Sequence, residues 1–300
     1  MSEIPRYGQR STQPREEMCP RHPGRPAVGY CKRCNRPACT DCAIPTEVGS
    51  ICIDCAGPTA TRGSAYGGAS RSFATLKHSG APVTFALLAI NVVLFILQTF
   101  IPAVFQALAF SPIAGYFQPW RLITTGFLHG GFFHILFNMM MLVMLGRVLE
   151  QAFGWWRFLS VYFLSILGGS MAVIAWVAIQ PWTAQQVTIG ASGAIYGLLG
   201  AILVAQKRAG MSTASIMALI GANLLYGFIM PGVSWQAHVG GLLIGILLSV
   251  LYSWVANETI RKTRQQRLVW NIAATVAVAA VMGLGTWGLY AGLISRFIGG

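Results

Sequence analysis

Ser192 stands among small residues at the start of an apolar run that continues to Ala205. The surrounding stretch, 190–197, reads Gly-Ala-Ser-Gly-Ala-Ile-Tyr-Gly. A serine in the first turn of a helix lies beside backbone N–H groups that have no intrahelical partner, where negative charge is stabilised. Such a position suits a nucleophile that must form a tetrahedral oxyanion. The alternative is that Ser192 only lets membrane helices pack closely, as small residues often do.

A few ionisable or strongly polar residues lie within other long apolar runs, where they are costly and therefore candidates for function. His134 and Asn138 are four residues apart, so they share one helical face. His238 opens a further apolar run and is followed by three glycines within seven residues. These glycines would let its helix approach the helix that carries Ser192. His238 could then remove the proton of the Ser192 hydroxyl.

A serine–histidine–aspartate triad needs a buried carboxylate beside the histidine. Beyond residue 56 the acids are Glu150 and Glu258, and both are expected at the far ends of their helices from Ser192. The sequence therefore predicts a dyad of Ser192 and His238. Tyr196, one turn after Ser192, is the residue that we expect to pack against the imidazole ring.

Hydrogen bonds to the developing oxyanion are predicted from His134, Asn138 and the backbone N–H of Ser192. Each side chain has a plainer interpretation. Asn138 could cross-link two helices, and His134 and His129 could bond a carbonyl at the interface. His238 could be a satisfied core histidine. The joint occurrence of these residues favours catalysis.

The composition is that of a membrane protein. Of the 300 residues, 55% are hydrophobic and 10% are charged, and the mean hydropathy is +0.59. The formal net charge of +13 reflects bases that flank the membrane and a basic amino-terminal region. No basic stripe with interleaved aromatic residues stands out, so nucleic-acid binding is not expected. The first residues lack an apolar core, and no cleavable signal peptide is expected.

Seven apolar runs of membrane-spanning length follow residue 80. They cover residues 82–101, 132–149, 156–179, 192–206, 215–230, 237–255 and 268–297. An amphipathic, aromatic-rich connection, 102–131, joins the first two runs and is predicted to lie partly embedded at the interface. The sequence thus predicts an all-α polytopic membrane protein.

The basic residues of the loops indicate the orientation of these spans. With the amino terminus inside, the inner loops hold eight bases and the outer loops hold two. The inner bases are Arg147, Arg157, Lys207, Arg208, Arg261, Lys262, Arg264 and Arg267, and the outer ones are Arg121 and Arg296. This orientation puts Ser192 and His238 near the outer ends of their helices. It also puts the amino-terminal cysteines in a reducing cytosol.

All seven cysteines lie in a short amino-terminal region and form, with His22, four pairs of ligands separated by two residues. The pairs are Cys19 with His22, Cys31 with Cys34, Cys39 with Cys42, and Cys52 with Cys55. Eight ligands suffice for two tetrahedral zinc ions, and a segment with few large apolar residues needs metal to fold. Disulfide or redox chemistry is the alternative, but it gives His22 no role.

Several short motifs occur in one order along residues 81–255. They are Trp120-Arg121, His129, His134-x-x-x-Asn138, Gly146-x-x-x-Glu150, Gly190-Ala191-Ser192-Gly193-x-x-Tyr196-Gly197 and His238-x-x-Gly241-x-x-x-Gly245. Together they resemble the rhomboid family of intramembrane serine proteases. The resemblance implies Ser192 as the nucleophile and His238 as the general base. It implies that His134 and Asn138 line the oxyanion site, and that Arg121 and Glu150 hold structural positions.

The same resemblance implies a six-helix core over residues 81–256, followed over 257–300 by an inside loop and an additional carboxy-terminal transmembrane helix. Residues 1–56 resemble a B-box zinc finger, and 57–80 are predicted to be a flexible linker rich in Gly, Ser, Ala and Thr. B-box pairing would interleave the ligands, with Cys19, His22, Cys39 and Cys42 on one zinc ion and Cys31, Cys34, Cys52 and Cys55 on the other. The sequence leaves sequential pairing open.

The resemblance implies a serine endopeptidase that cleaves single-span membrane proteins near the outer face of the bilayer and needs no cofactor for catalysis. A catalytically silent binder of membrane helices with the same fold is the main alternative. A transporter would show ionisable residues at mid-membrane depth or repeated broken helices, and no such repeat is evident. Expected partners are the substrates, the lipid bilayer and a cytosolic protein bound by the finger. The expected location is the plasma membrane, with the amino terminus cytoplasmic and the carboxy terminus outside.

Overall fold

The computed structural model describes residues 17–46, 49–56, 80–230, 232–255 and 263–297. The chain divides into two compact units, Met1–Gly68 and Ala69–Gly300. Apart from Gly80, the predicted linker 57–80 lies outside the described residues, and so does most of the predicted inside loop at 256–262. The domain boundaries at these segments therefore stay predictions.

The amino-terminal unit contains two short antiparallel sheets. Strand β1 (Gly29–Tyr30) pairs with β2 (Pro37–Ala38), and β3 (Ala43–Thr46) pairs with β4 (Gly49–Cys52). A single helical turn, α1 (Ile53–Ala56), follows β4. The buried hydrophobic residues at its centre are five cysteines and Ala38. Because a cluster of thiols cannot replace an apolar core, this unit is expected to depend on metal for its fold.

The second unit is helical. Its long helices are α2 (Pro82–Phe100), α6 (Phe132–Phe153), α7 (Trp155–Val177), α8 (Ser192–Arg208), α9 (Ala214–Ile229), α10 (Trp235–Val255) and α11 (Arg264–Phe297). Three short helices lie between α2 and α6, namely α3 (Pro102–Leu108), α4 (Pro112–Phe117) and α5 (Arg121–Thr124). Each predicted apolar run corresponds to one long helix, with ends that agree to within four residues. The expected fold class, an all-α membrane protein preceded by a zinc-binding region, is confirmed.

Length separates these helices into two groups. Within the described part of the chain, α2, α6, α7, α10 and α11 are long and apolar enough to cross a bilayer. Helices α8 and α9 have 17 and 16 residues and are shorter than the usual span of about 20. The fourth and fifth predicted spans are therefore the short ones.

Prolines and a glycine mark where several helices begin and end. Proline occupies the first turn of α2, α3 and α4, where its missing N–H costs nothing. Gly154 has a φ of +81° and separates α6 from α7. This glycine, and not Leu149 as the apolar pattern suggested, sets the end of the second span at Phe153, because glycine adopts the left-handed conformation at little cost.

Helix α8 lies at the centre of the bundle, with residues 193–201 buried throughout. Its neighbour α10 approaches it through glycines. A Cβ added at Gly241 would collide with the carbonyl of Gly193, and one added at Gly245 would collide with the carbonyl of Gly197. This backbone-to-backbone packing is typical of membrane helices, and it brings the first turns of α8 and α10 together.

The outer surface of the helical unit is apolar. Phe100 of α2 and Trp287 of α11 are largely exposed, as are many leucine, valine and isoleucine side chains. A soluble protein would bury such a surface. A bilayer supplies the apolar surroundings that these side chains need, so the chain is a multi-pass membrane protein.

Candidate functional site

The Ser192 hydroxyl and the His238 imidazole meet where α8 and α10 begin. Ser192 is the first residue of α8, and its Oγ lies 3.0 Å from Nε2 of His238. This distance suits a hydrogen bond in which a neutral imidazole accepts the hydroxyl proton. His238 is only 8% exposed. The pair therefore has the geometry of a nucleophile and its base.

Packing orients the imidazole of His238. The ring of Tyr196 stacks on it, with centroids 4.2 Å apart and planes inclined by 11°. Gly227 of α9 also approaches this ring, since a Cβ added there would lie 3.3 Å from Nδ1. Nδ1 is buried and has no hydrogen-bond partner in the described part of the chain. The ring is thus held by its faces and edges where a triad would use a carboxylate.

His134 and Asn138 project from α6 beside the segment that precedes Ser192. The Asn138 Nδ2 donates to the carbonyl of His134 at 2.7 Å, which leaves its second amide hydrogen for another acceptor. The Nδ1 of His134 accepts from the N–H of Gly130 at 3.2 Å, so a neutral ring carries its proton on Nε2. Two donors therefore lie on the same face of α6.

Gly190 is the common neighbour of His134 and Ser192. A Cβ added at Gly190 would lie 2.8 Å from Nε2 of His134 and 3.5 Å from Oγ of Ser192. Its φ is +127°, a conformation that other residues rarely adopt. Glycine is needed here for both reasons, and its small size leaves the space between the two side chains open.

The backbone before Ser192 is fixed by the connection between α2 and α6. Phe110 and Thr188 form an isolated antiparallel bridge, in which the N–H of Thr188 donates to the carbonyl of Phe110 at 2.8 Å. Thr125 adds two bonds: its hydroxyl donates to the carbonyl of Thr188, and its carbonyl accepts from the N–H of Gly190 at 3.0 Å. Residues 188–190 are thus held as an extended segment.

The same segment contacts the start of α10. The hydroxyl of Thr188 lies 2.9 Å from that of Ser234. The carbonyl of Ser234 accepts from the N–H groups of Ala237 and His238. Segment 188–190 therefore links the backbone that leads to Ser192 with the turn that carries His238.

Arg121 and His129 stabilise the connection itself. Arg121 is buried and donates from Nε to Oε1 of Gln118 and from Nη1 to the carbonyl of Ala109, each at 2.5 Å. The backbone of His129 exchanges two hydrogen bonds with the side-chain amide of Gln98. The His129 ring meets that of His134 edge-on, with centroids 5.1 Å apart.

Glu150 lies near the carboxy-terminal end of α6, away from the hydroxyl–imidazole pair. Its carboxylate accepts from the N–H groups of Val83 and Thr84 and from the hydroxyl of Thr84, at 2.7 to 2.9 Å. Three donors at the first turn of α2 are thus satisfied by one buried anion, which the helix dipole favours. Glu150 holds α2 against α6.

The amino-terminal unit gathers the eight cysteine and histidine side chains into two clusters. One contains Cys19, His22, Cys39 and Cys42, and the other contains Cys31, Cys34, Cys52 and Cys55. The ligand atoms within each cluster lie within 4.8 Å of one another. The Sγ atoms of Cys34 and Cys52 are 3.7 Å apart, close to the roughly 3.8 Å edge of a tetrahedron with zinc–sulfur bonds of 2.3 Å. All seven thiols are free, so the donors fit two zinc ions.

The thiols of each cluster differ in acidity. The backbone N–H of Cys39 lowers the pKa of Cys19 to about 6, and that of Cys52 lowers the pKa of Cys31 to about 6. Burial and the neighbouring Cys19 raise the pKa of Cys42 to about 12. Neighbouring thiols thus oppose one another's ionisation. A shared divalent cation removes this opposition, because it deprotonates the thiols that coordinate it.

Several residues that position the site carry no signal in the sequence. Thr125, Thr188 and Ser234 are ordinary hydroxyl residues of loops and short helices, and Phe110 is one aromatic residue among many. Their roles come from backbone pairing between segments 78 residues apart in the chain, Phe110 with Thr188. No local period or motif predicts such a pairing.

The fold and the site define a multi-pass helical membrane protein with a hydrogen-bonded serine–histidine pair and a separate zinc-binding unit. The profile of the Rhomboid domain matches residues 116–255, and that of the B-box zinc finger matches residues 14–48. The putative rhomboid protease YdcA of Bacillus subtilis (strain 168) is 35% identical over 185 residues, which cover 57% of this chain and 88% of that protein. The chain belongs to the rhomboid family.

Plant relatives match over shorter parts of their length. RHOMBOID-like protein 5 of Arabidopsis thaliana is 38% identical over 138 residues, or 44% of this chain and 43% of that protein. RHOMBOID-like protein 4 of the same plant is 29% identical over 199 residues, or 60% of this chain and 47% of that protein. The chain thus spans somewhat less than half the length of these two relatives.

Proposed function

We propose that this protein is an intramembrane serine endopeptidase in which Ser192 is the nucleophile and His238 the general base. The observation that carries the proposal is the 3.0 Å separation of the Ser192 Oγ and the His238 Nε2, of which the imidazole is buried. The name of a relative, the putative rhomboid protease YdcA, supports the same reaction class. Ser192 is the first residue of α8, where backbone N–H groups lack an intrahelical partner, and this position favours catalysis over simple helix joining.

The reaction proceeds in two stages. The His238 Nε2 takes the proton of the Ser192 hydroxyl while Oγ forms a bond to the carbonyl carbon of the scissile peptide. As the tetrahedral intermediate collapses, the imidazolium gives the proton to the leaving amine, and the carbon–nitrogen bond breaks. Water then loses a proton to the same imidazole as it attacks the acyl carbon. The imidazolium returns this proton to Oγ as the bond between Oγ and the acyl carbon breaks, which releases the new carboxyl group and free Ser192.

The oxyanion formed in each stage is stabilised by three donors in this proposal. They are the Nε2–H of His134, the free amide hydrogen of Asn138, and the backbone N–H of Ser192 at the unpaired start of α8. Gly190 leaves the space in which the oxyanion forms. Each donor is expected to contribute about 3 kcal/mol to the stability of the transition state.

The substrates are expected to be single-span membrane proteins. Carbonyls within a membrane helix are hydrogen-bonded internally, so a substrate helix must unwind locally before Ser192 can reach a peptide bond. Small or helix-breaking residues near the outer face therefore favour cleavage. The distribution of bases in the loops supports an orientation with the amino terminus inside and the active site near the outer face, and we propose the plasma membrane as the location.

The amino-terminal unit is proposed to bind two structural zinc ions through its two ligand clusters and to contact a cytosolic protein partner. Zinc would supply the folding energy that this small unit lacks in apolar core. It has no part in peptide hydrolysis. Deletion of residues 1–60 is therefore expected to leave the cleavage rate of the purified enzyme intact.

The proposal is tested with a fluorophosphonate that reacts only with an activated serine. The wild-type protein in detergent is expected to be labelled, and to cleave a single-span substrate after reconstitution. Both Ser192→Ala and His238→Ala should abolish labelling and cleavage. Ser295→Ala is the matched control, because Ser295 is an exposed serine near the end of α11 whose hydroxyl donates to the carbonyl of Gly292 in the same helix.

Two results would contradict the proposal. Labelling that persists in Ser192→Ala would place the reactive serine elsewhere. A folded wild-type protein that binds a substrate helix but is neither labelled nor able to cut it would be the catalytically silent binder.

A further inference from the structure

Tyr290 of the carboxy-terminal helix α11 contacts the connection between α2 and α6. The hydroxyl of Tyr290 donates to the carbonyl of Pro112, in the first turn of α4, at 3.0 Å. Its ring meets that of Tyr116 edge-on, with centroids 5.4 Å apart. A Cβ added at Gly115 would lie 2.7 Å from the Tyr290 hydroxyl. Helices α4 and α11 are therefore in close contact at this point.

The contact continues into a buried cluster that reaches α10. Phe110 is fully buried and belongs to a hydrophobic cluster with Ile174 of α7 and Ala237 of α10, the neighbour of His238. Tyr290 and two leucines of α11 pack against the same cluster. Helix α11 thus packs against a cluster that contains both Phe110 of the connection and Ala237 at the start of α10.

Phe110 is the residue that pairs with the segment before the active site. Its carbonyl accepts the N–H of Thr188, and Gly190 is bonded to Thr125 two residues later. A displacement of α4 would move Phe110, and with it one edge of segment 188–190. That segment sets the distance between Gly190 and the His134 ring.

We propose that Tyr290 is a positioning residue for the active site. Acting through α4 and Phe110, it holds segment 188–190 in the conformation that keeps Gly190 beside His134 and Ser192. The proposal deepens the proteolytic function proposed above and rests on it for its effect on rate, but its effect on the backbone does not depend on catalysis. An α11 that serves only to anchor the chain in lipid would have no need of this contact.

A neighbouring aromatic residue provides a matched control. Trp287 lies three residues before Tyr290 on α11 and is 73% exposed, so its removal deletes a large ring without touching α4. Tyr290→Ala removes the hydrogen bond and the ring contact, and Tyr290→Phe removes only the hydrogen bond. These three variants separate the contact with α4 from the general stability of α11.

The first measurement is hydrogen exchange of the full-length protein in detergent, read by mass spectrometry on peptides that contain residues 188–190. Exchange of the Thr188 and Gly190 amides is expected to be about threefold faster in Tyr290→Phe, which loses one hydrogen bond. It is expected to be about tenfold faster in Tyr290→Ala, which also loses the ring contact. Trp287→Ala should exchange like the wild type. Unchanged exchange in Tyr290→Ala, or equal acceleration in Trp287→Ala, would overturn the proposal.

The second measurement is the time course of Ser192 labelling by a fluorophosphonate. Tyr290→Ala should reach the same plateau as the wild type at a rate about tenfold lower, because every molecule is folded but the oxyanion donors are misplaced. A lower plateau with an unchanged rate would indicate partial unfolding and would overturn the positioning role. A wild-type protein that is not labelled at all would defeat the proposed proteolysis, whereas the exchange result would still decide whether Tyr290 positions segment 188–190.

Discussion

The ring of Tyr196 lies parallel to the imidazole of His238, with a centroid distance of 4.2 Å. The two residues come from different helices, α8 and α10, which are joined here by glycine packing. The hydroxyl of Tyr196 is buried and has no hydrogen-bond partner among the described residues. The aromatic face of Tyr196, and not its hydroxyl, therefore orients the imidazole.

Two substitutions of Tyr196 separate the contribution of its ring from that of its hydroxyl. Tyr196→Phe keeps the stacked ring and is expected to retain activity within about twofold, since no hydrogen bond is lost. Tyr196→Ala frees the imidazole to rotate and should lower kcat by roughly tenfold to a hundredfold, because a small misplacement of the base is costly. The measurement is the kcat of the reconstituted enzyme on one single-span substrate. Equal losses in the two variants would show that the hydroxyl has a role of its own.

Glycine packing between α8 and α10 should be essential for stability. In Gly245→Ala the new methyl group meets the backbone of Gly197, which cannot move without displacing α8. We expect a loss of about 2 kcal/mol in the free energy of unfolding, measured in detergent, even though alanine favours helix formation. Gly288→Ala on α11 is the control, because a Cβ there meets nothing within 4 Å, and it should be neutral or slightly stabilising. A stable, active Gly245→Ala would mean that the two helices are less closely packed than described.

Glu150 should contribute to stability and not to the chemical step. Glu150→Gln replaces one acceptor oxygen with an NH₂ group that faces the donors of Val83 and Thr84. The free energy of unfolding is expected to fall by about 1 to 3 kcal/mol. Fluorophosphonate labelling of the folded fraction should proceed at the wild-type rate. Arg147→Gln removes an exposed charge on the same helix and is expected to change the free energy of unfolding by less than about 0.5 kcal/mol. A loss as large as that of Glu150→Gln would show that removing any charge from this helix is destabilising, whether or not it breaks hydrogen bonds to α2.

The composition of the two ligand clusters predicts which zinc ion is lost when a single ligand is replaced. With interleaved ligands, Cys39→Ser disables the site of three cysteines and one histidine, and the four-cysteine site is retained. Cys52→Ser does the reverse. Metal analysis should give about two zinc ions for the wild type and about one for each variant. Of the two variants, only Cys52→Ser should show a nitrogen ligand by X-ray absorption, because it keeps the site that contains His22. Sequential pairing would instead give a nitrogen ligand in both variants, and Lys32→Ser should keep both ions.

The order and approximate bounds of the long helices could be predicted from the sequence, because apolar runs of membrane length have few alternative structures in lipid. The ligand pairs of the finger were also clear, since their spacing alone specifies tight metal-binding turns. The end of α6 was predicted four residues early, because the apolar pattern weakens before Gly154, the residue whose conformation ends the helix.

The supports of the site could not be predicted in the same way. Thr188 bonds Phe110 through the backbone, and any residue except proline has the N–H that this needs. Tyr290 contacts Pro112, from which it is 178 residues distant in the chain. Such contacts depend on how irregular segments fold over the ends of helices. The types of the residues involved do not predict this folding.

Helix α8 has 17 residues and is therefore roughly 25 Å long, about 5 Å less than the hydrocarbon thickness of a typical bilayer. If the last residue of α8 reaches one face of the membrane, its first residue, Ser192, lies below the opposite face. In the proposed reaction, only peptide bonds that descend to this depth while remaining unwound would meet the hydroxyl. The length of one helix would thus select among substrates before any side chain of the substrate is recognised.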